Sequence, residues 1–201
     1  MIRSIIFDLG KVIVPFDFNR AYAGFEAHCG MSAPEVRRRL GEADLYRQFE
    51  SGQLDPADFV ARVEHVLGVS IGYDDFCVIW TSIFLPEPLI GEALLERLAR
   101  SYRLVLLSNT NAIHFEMIRE TYPLLRHFHE FVLSYEVGAM KPSPVIYRKA
   151  VEASGCAAEE CLFFDDMREN VEAACKEGLQ AVRFESAAQL ESELRNRGIG
   201  V

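Results

Sequence analysis

Apolar and polar positions along this chain fall into two regimes. Ile2–Phe7, Arg103–Leu107, Glu130–Leu133, Cys161–Phe164 and the weaker Gln180–Phe184 are short runs of largely aliphatic and aromatic residues. Continuous runs of this length suit strands buried on both faces, and hence a parallel sheet. Between them the apolar residues recur at helical spacing. Ile90, Leu94 and Leu98 share one face, as do Ile146 and Ala150, and Val171, Ala174 and Cys175 form a further stripe. Ser143 followed by Pro144 reads as an N-cap and first turn. Gly178 stands where a helix ending near Glu177 wants a left-handed residue.

Residues 15–85 break the alternation. They contain no convincing strand, and their spacing predicts helices around 18–28, 33–50, 56–67 and 73–83. An insertion directly after the first strand sits over the carboxyl ends of the strands, where open α/β sheets bind ligands. The expected architecture is therefore a Rossmann-like three-layer α/β core with a central parallel sheet, formed by residues 1–14 and 86–201. Residues 15–85 are expected to form an all-helical cap. Segments near Pro15–Asn19 and Leu85–Pro88 would be the two strands of the hinge.

Composition narrows the function classes. The chain has 201 residues, half of them hydrophobic and a quarter charged, as in an ordinary globular protein. Its formal net charge of −9 repels nucleic acid at long range but does not exclude a small anion held by a local cation. No stretch approaches the roughly 18 apolar residues of a membrane span. Five cysteines, an odd number without a CxxC pair, read as reduced thiols in a cytoplasmic protein. Cys161 and Cys175 are expected in apolar surroundings. His28 and His65 read as surface or helix-packing residues, His127 and His129 as structural without a zinc site, and Trp80 as cap core. No heptad run or apolar stripe decides the oligomeric state.

Four polar clusters each follow an apolar run, so a parallel sheet would deliver them to one edge. They are Asp8-Leu9-Gly10, Ser108-Asn109-Thr110-Asn111, Lys141-Pro142-Ser143-Pro144 and Asp165-Asp166-Met167-Arg168-Glu169-Asn170. An acid at a strand end is often a mere helix cap, and a serine-asparagine pair can cap the next helix. Four such clusters in order supply the parts of phosphoryl transfer. A carboxylate can be the nucleophile that forms an aspartyl-phosphate. Asp8, Asp165 and Asp166 offer hard oxygen ligands to Mg²⁺, Lys141 adds positive charge, and Ser108 with nearby N–H groups can hold phosphoryl oxygens.

FDLGKVIV, LLSNTN, KPSPVIY and LFFDDMREN resemble the four motifs of the haloacid dehalogenase-like hydrolase superfamily, in order and along nearly the whole chain. The spacing resembles its helical-cap branch. FDLGxVIV, DFNR, LSNTN and FFDDxxxN are most similar to the bacterial α-D-glucose-1-phosphate phosphatases within it. The resemblance implies a Mg²⁺-dependent phosphatase of small phosphate monoesters, sugar phosphates such as hexose 1-phosphates among them. It implies Asp8 as nucleophile, and Ser108 and Lys141 as phosphoryl ligands. Asp166, more loosely Asp165, and the Gly10 carbonyl would serve as metal ligands, with Asn170 in support. Asn109, Glu50 and His114 are candidate substrate contacts.

One departure matters. The family's first motif usually carries an aspartate as general acid and base two residues after the nucleophile, and here that position is Gly10. Its loss removes a proton transfer worth about 10²–10⁴-fold. Either the leaving group needs little protonation, or His114, Asp17, Glu50 or a water replaces the acid. The glucose-1-phosphatase branch shares this glycine, and the absent acid argues against a phosphomutase. Two alternatives remain. A 2-haloacid dehalogenase shares the fold and nucleophile, but needs no metal and carries small polar residues where Asp165 and Asp166 stand. A non-catalytic phosphate-binding module finds support only in Gly10.

Overall fold

The computed structural model describes residues 1–200. Five strands form one wholly parallel sheet: β1 (Ser4–Phe7), β2 (Arg103–Ser108), β3 (Glu130–Leu133), β4 (Cys161–Asp165) and β5 (Gln180–Arg183). Their order is β3-β2-β1-β4-β5. The chain leaves β1 towards β2 on one side and returns to β4 on the other, so the carboxyl ends of β1 and β4 flank the topological switch point. Phe7 lies level with Leu106 and Phe164, which brings the next residue, Asp8, alongside Asp165.

Alternation along the strands builds the layers. Ile5, Phe7, Leu104, Leu106, Leu162 and Phe164 face one side. They pack on α6 (Glu92–Ala99), α7 (Ala112–Thr121) and α11 (Ala187–Asn196). Ile6, Val105, Leu107 and Phe163 face the other, covered by α9 (Pro144–Ser154) and α10 (Arg168–Lys176). The short α8 (Ser134–Val137) follows β3 directly. Each fully buried Leu, Ile or Phe contributes roughly 1.5–3 kcal/mol, and the three strands β1, β2 and β4 are buried almost throughout. Ser143 caps α9 through its hydroxyl with Pro144 in the first turn, and Gly178 is left-handed at φ 88° after α10, as the sequence predicts. His129 Nδ1 accepts from the Leu104 amide and His127 meets Glu92, both structural roles.

Between β1 and β2 stand α1 (Phe18–Cys29), α2 (Ala33–Glu42), α3 (Leu45–Glu50), α4 (Pro56–Leu67) and α5 (Tyr73–Thr81). They enclose a separate apolar core around Phe25, Phe49, Phe59, Phe76 and Trp80. The single helix expected over 33–50 is two. Asp44 adopts a left-handed φ of 52°, a conformation its short polar side chain tolerates, and its carboxylate accepts from Arg47 Nε. Helix α5 also ends earlier than expected, at Thr81, whose hydroxyl turns back onto the Cys77 carbonyl. The stripe on α10 runs through Asn170 and Ala174, with Cys175 exposed rather than in an apolar setting. Among the described residues no helix is long and apolar enough to cross a membrane.

The chain enters and leaves the helical insertion through two segments that pair with each other. Asp17 N donates to the Ile83 carbonyl at 2.8 Å and Leu85 N to the Pro15 carbonyl at 3.0 Å, flanking an antiparallel bridge between Phe16 and Phe84.

Candidate active site

The sheet gathers the polar clusters at its carboxyl edge. Asp8 follows β1 and is buried; its Oδ1 accepts from the Leu9 amide and from Lys141 Nζ, each at 2.7 Å. Lys141 Nζ also reaches Asp165 Oδ2 at 2.7 Å and the Leu107 carbonyl at 3.2 Å. The ammonium therefore bridges the ends of β1, β2 and β4. Its backbone is clamped by Asn109, which accepts from Lys141 N at 2.7 Å and donates to its carbonyl at 3.0 Å. The Lys141–Pro142 peptide is cis.

The two adjacent acids differ in their partners. Asp165 is wholly buried and saturated: Oδ1 accepts from the Met167 amide, Oδ2 from Lys141, and Asn170 Nδ2 lies within 3.2 Å of both oxygens. Asn170 is itself fixed by Tyr147, whose hydroxyl donates to its carbonyl at 3.0 Å. Asp166 is half-buried, and its carboxylate accepts no side-chain hydrogen bond among the described residues. Asp8, Asp165 and Asp166 offer carboxylate oxygens within 4.8 Å of one another. With Lys141 they sum to a charge of −2 if all are ionised, and their donor set is purely carboxylate. That is the composition a hard divalent cation requires.

Electrostatics reflect this crowding. Burial raises the Asp8 pKa above the usual carboxylate range, and Lys141 pulls it back down while Asp165 adds to the rise. Asp166 is likewise raised by burial and by Asp165, against the pull of Lys11 and Lys141. For Lys141 burial opposes charge, but Asp8 and Asp165 outweigh it and hold the ammonium protonated.

Against Leu9 and Gly10, just past Asp8 in the chain, lies a cavity of about 60 Å³, room for no more than a few waters. Gly10, Ser108, Asn109, Glu50 and His114 all border it. Ser108 is buried, its hydroxyl 3.3 Å from the Asn109 carbonyl. Glu50 comes from the end of α3; burial pushes its carboxyl up to about 7, helped by Asp8 and opposed by Lys141. His114 offers less than its position suggests. Asn111 Oδ1 accepts from the His114 amide, so Asn111 Nδ2 donates to Nδ1 at 3.0 Å, and Nε2–H is left for the Trp80 carbonyl at 3.1 Å. Both ring nitrogens are committed, and burial lowers the pKa to about 4. Asp17 is exposed and caps α1 through the Asn19 amide.

Two contributors escaped the sequence. Phe16 fills the space beside position 10: a Cβ on Gly10 would lie 2.7 Å from its ring. Ser134, fully buried at the start of α8, hooks the insertion to the core. Its Oγ accepts from the Thr110 amide at 3.0 Å and lies 2.5 Å from the Glu50 carbonyl and 3.0 Å from that of Thr110. Ser134 follows the apolar run of β3, so the rule that found the other clusters points to it as well.

The family model for haloacid dehalogenase-like hydrolases matches residues 2–176. The chain is 28% identical to a D-ribitol-5-phosphate phosphatase of Bacteroides thetaiotaomicron, across 96% of this chain and 97% of that one. It is 23% identical to a glyceraldehyde 3-phosphate phosphatase of Methanopyrus kandleri, across 98% and 89%. Among solved structures, a haloacid dehalogenase-type enzyme of B. thetaiotaomicron in complex with magnesium and inorganic phosphate superimposes with a TM-score of 0.84 at 26% identity. That match covers 92% of this chain and 96% of the other.

Proposed function

The chain belongs to the haloacid dehalogenase-like hydrolases, and on that premise we propose a magnesium-dependent phosphatase that works through an aspartyl-phosphate on Asp8. The observation that carries this reading is the Lys141 ammonium, 2.7 Å from both Asp8 and Asp165, beside a third carboxylate at the switch point. Lys141 and the Leu9 amide fix Oδ1 of Asp8, leaving Oδ2 for attack on phosphorus. Asp165 serves chiefly as the buried anchor that aims Lys141. Ser108 and the backbone of the β2–α7 loop cradle the phosphoryl oxygens. Asp8 and Asp166, with the Gly10 carbonyl and more loosely Asp165, would hold Mg²⁺, which when bound neutralises charge on the phosphoryl group and its nucleophile. An acid pair of this kind suits a cation and speaks against a metal-free dehalogenase.

The substrate class we propose is small phosphorylated sugars and sugar alcohols, hexose 1-phosphates included. The names of the two phosphatase relatives and a cavity walled by Phe16, Phe18 and Phe84 beside polar Asn109 support a compact, partly polar leaving group. With so little free volume, the helical insertion must lift as a cap for such a molecule to enter.

The deciding experiment is phosphate release from ribitol 5-phosphate, glucose 1-phosphate, glucose 6-phosphate and acetyl phosphate, with Mg²⁺ or EDTA, by wild type and Asp8→Asn. Turnover that needs the metal and vanishes in the variant is expected. Release that survives Asp8→Asn would refute the covalent route.

A further inference from the structure

The family's usual acid cannot simply be restored at position 10, because the Phe16 ring stands 2.7 Å from where its Cβ would be. Phe16 is itself held between Phe18 and Phe84 at ring separations of 5.5 and 6.3 Å. A proton donor for the leaving group must then come from another wall of the cavity. Of the residues bordering that cavity, Glu50 is the one carboxylic acid. His114, the other titratable group there, has both nitrogens engaged within the protein.

Glu50 combines a fixed backbone with a free head. Its carbonyl is hooked by Ser134 Oγ at 2.5 Å. The following turn is tied by Gly52 N to Phe49 O and Gln53 N to Gln48 O. The turn rests so closely on α8, just past β3, that a Cβ on Gly52 would strike the Tyr135 carbonyl. The Glu50 carboxyl itself makes no hydrogen bond or ion pair among the described residues, whereas neighbouring Glu35 and Glu42 are bound by Arg38.

We propose that Glu50, delivered by the helical insertion, is the catalytic acid and base in place of the residue missing at Gly10. This rests on the phosphatase reading above. In the first step an Asp8 oxygen bonds to phosphorus and the phosphorus–oxygen bond to the leaving group breaks. The Glu50 carboxyl proton passes to that oxygen, releasing the alcohol. In the second step a water oxygen bonds to phosphorus and its proton returns to Glu50. The bond to Asp8 breaks, restoring the carboxylate and freeing phosphate. Its raised pKa favours the protonated form that the first step needs. Because Ser134 holds the Glu50 carbonyl, proton transfer on this reading is coupled to the seating of the insertion.

The test compares kcat/KM for p-nitrophenyl phosphate, whose leaving group needs little protonation, with that for ribitol 5-phosphate and glucose 6-phosphate, whose leaving groups need it. Glu50→Gln is expected to lose about 10²–10⁴-fold on the alkyl esters and less than about tenfold on the aryl ester. It should also show a burst of p-nitrophenolate as the aspartyl-phosphate accumulates. Glu50→Asp, which keeps a shorter carboxyl, should move the alkyl-to-aryl ratio back towards wild type. An equal loss on all esters without a burst, or a Glu50→Asp ratio like that of Glu50→Gln, would overturn the assignment. Wild type without turnover on any ester would overturn the phosphatase reading, and this one with it.

Discussion

His114 shows what burial does to a single titratable group. Unfolded, it takes up a proton near pH 6.5; folded, it resists until about 4. Between those values the unfolded chain binds more protons, so this group's contribution is intact above pH 6.5 and is lost as pH falls towards 4. Glu50 works in the opposite sense: its folded carboxyl stays protonated up to about 7 while the unfolded one ionises near 4.5. Wild-type stability therefore blends the two. The stability advantage of wild type over His114→Gln, read from urea midpoints, is expected to shrink between pH 7 and pH 4. The loss should be on the order of 3 kcal/mol. A pH-independent difference would refute a neutral, doubly bonded His114. At this scale the sequence was informative where polarity broke an apolar run, as at Asp8, Ser108 and Asp165. It was silent on the roles of Phe16 and of the Asn109 clamp, because neither leaves a trace in local pattern: both arise from contacts between distant segments.

Among the elements, the break between α2 and α3 matters most. Helical spacing across 33–50 looks continuous because apolar positions recur on both sides of the break, and only Asp44 in its left-handed conformation turns the chain. That turn starts the short helix that carries Glu50 to the sheet. Two glycines separate docking from backbone strain. Gly52 and Gly68 share nearly the same φ, 72° and 69°, but a Cβ on Gly68 meets nothing within 4 Å whereas one on Gly52 strikes the Tyr135 carbonyl. Gly68→Ala is expected to cost about 1–2 kcal/mol of stability and leave kcat/KM unchanged. Gly52→Ala should cost more and also lower kcat/KM, because the Glu50 turn is pushed off α8. Equal catalytic effects of the two substitutions would mean that this turn does not need to touch α8.

Across the whole molecule, the insertion and the sheet meet through few polar contacts. Ser134 has one hydroxyl proton for two carbonyls, those of Glu50 and Thr110, so the Thr110 carbonyl can take it when the insertion lifts. The chain's single tryptophan, Trp80, reports on this joint. It belongs to the insertion core yet stacks on His114 of α7 at 5.2 Å and 15°, and is almost wholly buried. Ser134→Ala is expected to raise acrylamide quenching of its fluorescence, and Mg²⁺ with inorganic phosphate to lower it in wild type. Identical quenching in all three samples would exclude an opening motion at this joint. The parallel core was legible because its central strands β1, β2 and β4 are buried and largely apolar. The way the insertion seats on it was not, since that depends on contacts between distant segments: the Ser134 hydroxyl, the bare turn at Gly52 and the Trp80–His114 stack.

The paired crossing at Phe16 and Phe84 has a consequence for ancestry. The insertion departs and returns through neighbouring points that already hydrogen-bond to each other, and every strand register of the sheet is set outside it. Its residues can thus be exchanged, lengthened or replaced as a cassette while Asp8, Lys141 and Asp165 keep their places. Under such an arrangement, selection can reshape the wall of the site by editing one contiguous stretch of the gene, provided that a replacement again presents an acid where Glu50 stands.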